Sequence, residues 1–165
     1  MNFEDLIFLM VMLVLILIPI VIINRKKKKR EKQFLQSLFG LAEKSDCKIT
    51  SYDRWSDTAI GIDKPSKKIF FFRKSSKNEL GTEVDLLQVR KCRFVNTHRI
   101  VSLNESQHKV IEKLELVFAF TDVRIPEQTL EFYNAQYDSL SLRGEIQLGE
   151  KWEDIVNSTI GLGQL

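Results

Sequence analysis

The chain contains one long, uncharged apolar run, Leu6–Ile23, which constrains its architecture more than any other feature. Seventeen of the 18 residues in this run are apolar, and the remaining one is Pro19. As a helix the run would be about 27 Å long, close to the ~30 Å thickness of the hydrocarbon core of a bilayer. The run therefore predicts a transmembrane helix over residues 6–23, preceded by a short extracytoplasmic N-terminus of residues 1–5.

The flanks of this run favour an uncleaved anchor over a signal peptide. Glu4 and Asp5 precede it, whereas a signal peptide begins with basic residues, and no small-residue cleavage site follows it. Residues 25–32 contain seven basic residues and one acidic residue. Because basic flanks stay in the cytoplasm, we expect a single-pass protein of the inner (plasma) membrane, with its N-terminus outside and its C-terminal domain in the cytoplasm.

The basic run after the apolar segment is the first candidate binding segment. We expect its residues to lie at the membrane surface and to contact anionic head groups, so that residues 6–30 together meet the bilayer. Contact of this run with nucleic acid or with an acidic partner is the alternative. The residues concerned are Arg25, Lys26, Lys27, Lys28, Lys29 and Arg30.

The rest of the chain has the composition of one soluble domain. Of the 142 residues in 24–165, 53 are apolar, or 37%, which is enough for one core. Residues 33–165 carry 18 basic and 19 acidic side chains, so their net charge is −1. A nucleic-acid-binding domain carries a basic patch on its folded surface, so we expect no nucleic acid as partner. We divide this part into a juxtamembrane segment, residues 24–46, and a domain, residues 47–165.

Amphipathic helices are expected at both ends of this soluble part. Apolar residues at spacings of three and four predict a juxtamembrane helix over residues 31–46, which either packs on the domain or pairs with a second copy of the chain. The same spacing, led by Trp152, predicts a closing helix over residues 149–160.

Between these helices the apolar period changes to two, which predicts short antiparallel strands separated by turns. Within residues 83–95 the parity switches, because Leu87 and Val89 share one parity and Cys92 and Phe94 share the other. We expect a bulge or sharp bend there, which lets both halves face the core. The predicted strands are Lys48–Tyr52, Thr58–Asp63, Lys68–Arg73, Glu83–Val95, Val110–Thr121 and Gln128–Asn134.

Two segments resemble a known family. Residues 59–63 and 67–72 read Ala-Ile-Gly-Ile-Asp and Lys-Lys-Ile-Phe-Phe-Phe, which look like the family's apolar strand and aromatic-rich strand. Residues 150–156, which contain Trp152, look like its closing helix. Together with the corner between antiparallel strands, they make residues 47–161 similar to the bacterial pleckstrin-homology-like (PH-like) domains. The resemblance implies a mainly β (α+β) fold, a small antiparallel barrel or orthogonal sandwich closed by a C-terminal helix. It also implies binding and scaffolding rather than catalysis.

The first hairpin departs from the lipid-binding members of this family. Eukaryotic members that bind inositol phosphates do so with several basic residues around the first hairpin. Here the corresponding stretch offers Arg54 against Asp53 and Asp57. The barrel itself is therefore not expected to recognise head groups.

The sequence favours a membrane-anchored, non-enzymatic interaction or scaffold module that binds another protein. No cofactor and no small-molecule substrate are inferred. The alternative is a membrane-tethered sensor of lipid head groups, or of a peptide captured along a strand edge or beside the closing helix. The candidate partner-binding residues, expected to be exposed, are Trp55, Tyr133 and Tyr137.

A membrane-bound enzyme is the third function considered. Its only candidate constellation combines Cys92, His98 and an acid, whereas Cys47 and Cys92 are both expected to be reduced core thiols. His98 and His108 are ten residues apart, without further Cys or His nearby, so no metal site is expected.

Overall fold

The computed structural model describes residues 3–74, 79–103, 106–138, 142 and 144–161. Within these ranges the chain forms seven strands, with a helix at each end. In chain order the elements are α1 (Phe3–Glu43), β1 (Ser51–Trp55), β2 (Thr58–Asp63), β3 (Lys68–Lys74), β4 (Glu79–Asp85), β5 (Val89–Leu103), β6 (Ser106–Phe120), β7 (Gln128–Asn134) and α2 (Glu145–Gly161).

The strands form two antiparallel sheets that follow chain order. One sheet has four strands, in the order β1-β2-β3-β4, and the other has three, in the order β5-β6-β7. Within each sheet, every strand pairs with the next strand of the chain, as short connections favour; the chain changes sheet between β4 and β5. The main core contains side chains of both sheets together with Trp152 and Val156 of α2. A mainly β fold of antiparallel strands with a C-terminal helix, as the sequence predicts, is confirmed.

Turn chemistry fixes the register of the β2–β3 hairpin. Asp63 pairs with Lys68 across the turn, and the Asp63 carboxylate accepts the backbone N–H of Ser66 at 3.1 Å. Lys67 adopts the left-handed conformation, with φ of 51°, which closes the turn. The bounds of β2 agree with the prediction, and β3 ends one residue later, at Lys74.

The central strands of the four-stranded sheet are buried on both faces. Ile69 and Phe71 of β3 point into the main core, whereas Phe70 and Phe72 point to the opposite face and belong to a second core. Successive side chains of a strand alternate between faces. A continuous apolar run such as that of β3 therefore indicates that both faces are covered.

The C-terminal part of α1 covers the outer face of this sheet. Phe34, Leu38 and Ala42, at the helical spacing of four, form its buried side in the second core. The Phe34 ring meets the Phe72 ring edge to face, with centroids 5.1 Å apart. Of the two arrangements expected for the juxtamembrane helix, packing on the domain is confirmed, and the helix ends at Glu43 rather than at residue 46.

Residues 6–23 lie within α1, which runs without interruption from Phe3 to Glu43 and includes Pro19. Among the residues that the structure describes, no helix is both long enough and apolar enough to cross a membrane. The transmembrane helix expected over residues 6–23 is therefore not confirmed by the structure, and it stays a prediction.

The prediction of one strand over residues 83–95 is wrong, whereas the bend expected within this run is confirmed. β4 ends at Asp85 and β5 begins at Val89, so the turn between them carries the chain from one sheet to the other. The Asp85 carboxylate accepts the N–H of Leu87 at 3.0 Å and stabilises this turn. A register shift between Val89 and Lys91 adds a β-bulge just after it.

β5 and β6 extend beyond the sheet that they share with β7. β7 pairs only with residues 113–118 of β6, whereas pairing between β5 and β6 continues to Leu103 and Ser106. The sequence does not predict this extension, because an apolar period of two reports burial, and residues 97–100 are exposed. β7 has its predicted bounds, and β1 is displaced by three residues from the prediction.

α2 begins at Glu145, four residues earlier than predicted, and ends at Gly161. Trp152 and Val156 are fully buried, which confirms the predicted packing face of this helix. α2 also approaches β5 very closely, since a Cβ atom at Gly149 would lie 2.1 Å from Phe94 Cε2. Glycine has no Cβ and permits this approach.

Candidate interaction surfaces

The N-terminal half of α1 exposes a row of large apolar side chains, here called the apolar row. Its members are between 46% and 63% exposed, whereas a helix of a soluble protein normally turns such residues towards a core. Apolar surface of this kind marks contact with protein or with lipid. The residues are Met10, Met12, Leu13, Ile16, Leu17 and Ile18.

The basic run follows the apolar row on the same helix. Arg25 is exposed. The side chains of the other five basic residues, Lys26, Lys27, Lys28, Lys29 and Arg30, lie outside the described part of the structure. The contact of this run with head groups stays a prediction.

Trp55 is half-buried and joins the two sheets. Its ring packs against Phe132 of β7 with centroids 4.5 Å apart, and its Nε1 donates a hydrogen bond to the Phe132 carbonyl oxygen at 3.0 Å. The indole also contacts Phe71 of β3. The expectation that Trp55 is exposed is wrong, because the indole fills space between strands of different sheets. Its role in partner binding stays a prediction.

The two candidate tyrosines differ in exposure. Tyr133 is 4% exposed, so the expectation of exposure is wrong there too, and burial raises the pKa of its hydroxyl. Tyr137 is 55% exposed. Its ring lies 5.0 Å from the Arg73 guanidinium, and its hydroxyl hydrogen-bonds to Glu131. Of the three aromatic candidates, Tyr137 alone offers substantial exposed surface.

A charge cluster around the buried Arg73, whose acidic partners are half-buried, holds the turn that carries Tyr137. Arg73 donates to Asp138 Oδ2 at 2.6 Å and to the Glu131 carbonyl oxygen at 2.7 Å. Asp138 Oδ2 also accepts the N–H of Asn134 at 2.7 Å. Buried charges are tolerated when they are paired and hydrogen-bonded in this way. The cluster therefore links β3 to the turn after β7 and has a structural role.

The charged residues of β1 are engaged by the two helices. Asp53 Oδ2 accepts the indole N–H of Trp152 at 2.9 Å and the ammonium group of Lys151 at 2.6 Å. Arg54 pairs with Glu31 of α1 at 3.0 Å. These contacts fix both helices to the same edge strand.

The edge of β5 beside α2 is closed by a side chain. Asn157 Oδ1 accepts the N–H of Cys92 at 3.0 Å, and Asn157 Nδ2 donates to the Cys92 carbonyl oxygen at 2.9 Å. An added peptide strand pairs through backbone groups of this kind. At Cys92, a peptide bound beside the closing helix would have to displace Asn157.

The Cys92 thiol is unsuited to nucleophilic chemistry. Burial, with a smaller contribution from the charge of Glu153, raises the pKa of this thiol to about 12, whereas a catalytic cysteine acts as a thiolate. His98 lies on the exposed part of β5. Both cysteines are buried and free, as expected. Within the described ranges, no group of three or more His, Cys, Asp or Glu side chains is placed to hold a metal ion.

Sequence reasoning missed a surface at the corner between β4 and β5. The parity of Leu87 with Val89 predicts a core-facing side chain, yet Leu87 is 69% exposed. In the loop between β6 and β7, Val123 is 83% exposed and Ile125 is 40% exposed. Turns normally carry polar residues, so large apolar residues at turn positions were the signal for this surface.

No protein-family model matches the sequence, and comparison with curated proteins and with solved structures gives no significant match. The fold and the surfaces described above are therefore the grounds on which a function is assigned.

Proposed function

We propose that this protein is a single-pass, membrane-anchored interaction module of the PH-like type, which binds another protein and catalyses no reaction. Residues 6–23 cross the bilayer with the N-terminus outside, and the folded domain faces the cytoplasm. The observation that most supports this function is the apolar row, which lies on the same continuous helix as the segment docked on the domain.

The apolar row is unfavourable in water and favourable in lipid. Apolar surface removed from water contributes about 25 cal/mol per Å². Residues 6–23 contain no Asp, Glu, Lys or Arg, and as a helix they match the ~30 Å hydrocarbon core of a bilayer. Lipid is thus a cover that fits both the length and the chemistry of this segment.

The continuity of α1 supports a fixed spacing between membrane and domain. Phe34, the first buried residue of the docked segment, comes 11 residues after Ile23, which corresponds to about 16 Å of helix. The basic run occupies the start of this interval, at the level of the head groups. There each basic residue contributes about 1 kcal/mol of attraction to anionic lipid.

The arrangement of the strands supports the PH-like part of the proposal. Four and three antiparallel strands enclose one core, the chain turns a corner between the sheets, and α2 buries Trp152. The small barrels of that family bind and scaffold. Arg54, the basic residue of the first hairpin, already pairs with Glu31 of α1. We therefore assign lipid contact to the basic run and not to the barrel.

The anchor is tested by cell fractionation of the full-length protein and of the double variant Leu13→Lys, Ile16→Lys. A lysine near the centre of a span costs about 2.5–3.5 kcal/mol. We expect wild type to stay in the membrane fraction after alkaline extraction and the variant to leave it. Ile100→Lys, at a similarly exposed residue of β5, is the matched control and should fractionate like wild type. Release of the wild-type protein by alkali would overturn the anchor.

Orientation is tested with a C-terminal reporter that is active only outside the cytoplasm. The basic run predicts that the reporter is silent. An active reporter would place the domain on the outer side and contradict the proposal.

Lipid contact is tested by diluting the full chain out of detergent and measuring how much of it floats with vesicles of anionic or of neutral lipid. Replacement of Lys26, Lys27, Lys28 and Lys29 by Gln should weaken binding to anionic vesicles, whereas Arg54→Gln should not. Added salt should remove the difference between wild type and the quadruple lysine variant, since charge attraction at a surface is screened within about 8 Å at physiological ionic strength. Loss of binding through Arg54→Gln would instead favour the alternative, a head-group sensor.

A further inference from the structure

Two neighbouring turns present large apolar side chains at one corner of the sandwich, here called the apolar corner: Leu87, Val123 and Ile125. They are 69%, 83% and 40% exposed. The turns are adjacent, because the N–H of Thr121 donates to the Gln88 carbonyl oxygen at 2.8 Å. Other exposed apolar residues of the domain, such as Leu80 and Ile100, stand singly, which is ordinary for a protein surface.

Local hydrogen bonds hold both turns in the conformation that exposes these side chains. Asp85 accepts the N–H of Leu87 at 3.0 Å. Asp122 accepts the N–H of Arg124 through its side chain at 3.0 Å and the N–H of Ile125 through its carbonyl oxygen at 3.0 Å. The apolar corner is therefore a preorganised surface, which lowers the entropic cost of binding.

Near the apolar corner, the acidic side chains of the turns are paired, whereas some of the basic side chains are not. The acids of the two turns and of the strand ends beside them have cationic or amide partners: Asp122 pairs with Arg124, Glu127 pairs with Arg93, and Asp85 accepts the Gln88 side chain. One further acid, Glu153 of α2, lies close enough to Cys92 for its charge to raise the pKa of that thiol. Two cations, Arg90 and Lys91, come three and four residues after Leu87. Both are exposed, and within the described ranges they form no ion pair and no side-chain hydrogen bond. The charge left for a partner is therefore positive, although residues 33–165 as a whole have a net charge of −1.

We propose that the apolar corner is the docking surface for an acidic segment of a partner protein that also carries large apolar side chains. Apolar residues of this segment cover Leu87 and Val123, and its carboxylates pair with Arg90 and Lys91. This inference rests on the proposed function, since it names the class of partner that the module binds. Complementary charge of this kind contributes specificity and association rate.

The course of α1 argues against the bilayer as the occupant. α1 contacts Arg54 of β1 through Glu31, and just beyond its C-terminal end Ser45 contacts Glu83 of β4. The apolar corner follows β4 directly, so it lies at the end of α1 that points away from residues 6–23. Glu43, the last residue of α1, comes 20 residues after Ile23, or about 30 Å along the helix. A bilayer that holds residues 6–23 is thus remote from the apolar corner.

The test uses the full-length protein in detergent micelles and three fluorescent synthetic 12-residue peptides. The first alternates Glu or Asp with Leu or Phe, the second replaces the acids by Lys, and the third replaces the apolar residues by Ser. Fluorescence anisotropy should show binding of the first peptide, and at least tenfold weaker binding of the other two.

Variants assign this binding to the apolar corner. We expect the double variant Leu87→Ser, Val123→Ser to weaken binding of the first peptide at least tenfold, and Arg90→Gln, Lys91→Gln to weaken it about fivefold at low salt. Ile100→Ser and Lys109→Gln are the matched controls and should bind like wild type. Because every substituted residue is exposed, each variant should melt like wild type, and Val123→Ser alone repeats the test if Leu87→Ser alters folding.

Two outcomes would overturn the inference: unchanged peptide binding by the apolar-corner variants, or binding of anionic vesicles that depends on Leu87 and Val123. Failure of the proposed anchor is separable from both. In that case the Leu13→Lys, Ile16→Lys variant would fractionate like wild type, while peptide binding would still depend on the apolar corner.

Discussion

The two helices pack on the same sheets in different ways. α2 inserts Trp152 and Val156 into the main core, together with residues of both sheets. α1 instead packs Phe34, Leu38 and Ala42 against the outer face of the four-stranded sheet and forms a separate, smaller core. Beyond that contact α1 continues towards its N-terminus as the apolar row.

Under the proposed function, this difference separates the folding of the domain from its attachment to the membrane. α2 supplies the largest fully buried side chain of the domain, so the packing of the main core depends on it. The docked part of α1 covers a sheet face that would otherwise expose Phe70 and Phe72 to solvent. The docked part and the apolar row belong to one continuous helix. Substitutions in each helix and at its contacts test this distinction.

Trp152→Ala should lower the free energy of unfolding by about 3–5 kcal/mol, because it leaves a large cavity in the main core and removes the indole hydrogen bond to Asp53. Chemical denaturation of the full-length protein in detergent measures the loss. Glu150→Ala, at an exposed position of α2, is the control and should change stability by less than about 0.5 kcal/mol. A loss of less than 1 kcal/mol for Trp152→Ala would show that α2 does not close the core.

Leu38→Ala should lower the free energy of unfolding by about 2–5 kcal/mol, since Leu38 is fully buried between α1 and the sheet. We expect a smaller loss than for Trp152→Ala, because less side-chain volume is removed. The same denaturation measurement applies, with the exposed Gln36→Ala as control. If Leu38→Ala melted like wild type, α1 would be a loose tether and the contrast between the helices would change.

Gly149→Ala should lower the free energy of unfolding by about 1–3 kcal/mol, because the added methyl group overlaps the Phe94 ring. Gly40→Ala in α1 meets nothing within 4 Å, and it should stabilise that helix by up to about 1 kcal/mol. Adding Phe94→Leu should recover part of the loss caused by Gly149→Ala. Similar effects of the two glycine substitutions would remove the difference in how closely the helices pack.

Asp63→Asn should weaken the junction between α1 and β2 by about 1 kcal/mol at pH 7. Burial alone would raise the pKa of Asp63, but hydrogen bonds from the backbone N–H groups of Lys48 and Ser66 outweigh it and hold the pKa below the ordinary value of 3.8. A carboxylate with a lowered pKa stabilises the fold above its unfolded-state pKa, and this stabilisation is lost as the pH falls through the folded-state pKa.

Denaturation at pH 7 and at pH 3 tests this sign. The difference between wild type and Asp63→Asn should be larger at pH 7, because protonation at lower pH removes the stabilisation from the wild type. An equal difference at the two pH values would contradict this role of Asp63.

The sequence predicted best the elements whose local pattern and turn chemistry agree. The bounds of β2 and β7 match the prediction, because each run is bounded by turn residues and at least one of its faces is buried. The sequence does not predict the extension of β5 and β6, because apolar periodicity indicates a strand only where one of its faces is buried. The single strand expected over residues 83–95 divides because a change of sheet requires a turn, not only a bulge.

The candidate surfaces were less predictable than the strands. Exposure of Trp55 and Tyr133 was inferred from chain position, yet both pack between elements that are distant in sequence. The opposite holds for Leu87. Its alternation with Val89 predicts a buried side chain, but it lies in a turn and is exposed. An aromatic or apolar side chain is equally favourable in a core and at a binding surface, so residue type alone does not separate the two.

Features that depend on neighbours along the chain are predictable from the sequence: the apolar segment 6–23, the basic run, two amphipathic helices, the hairpin turns and the antiparallel strands. Which faces meet depends on contacts between residues that are distant in the chain. Only the folded chain brings Asn157 to the backbone of Cys92, 65 residues away, and Asp53 to the indole of Trp152, 99 residues away. The physical reason is that periodicity reports that a face is buried and carries no information on what covers it, because burial of apolar surface is favourable against any complementary partner.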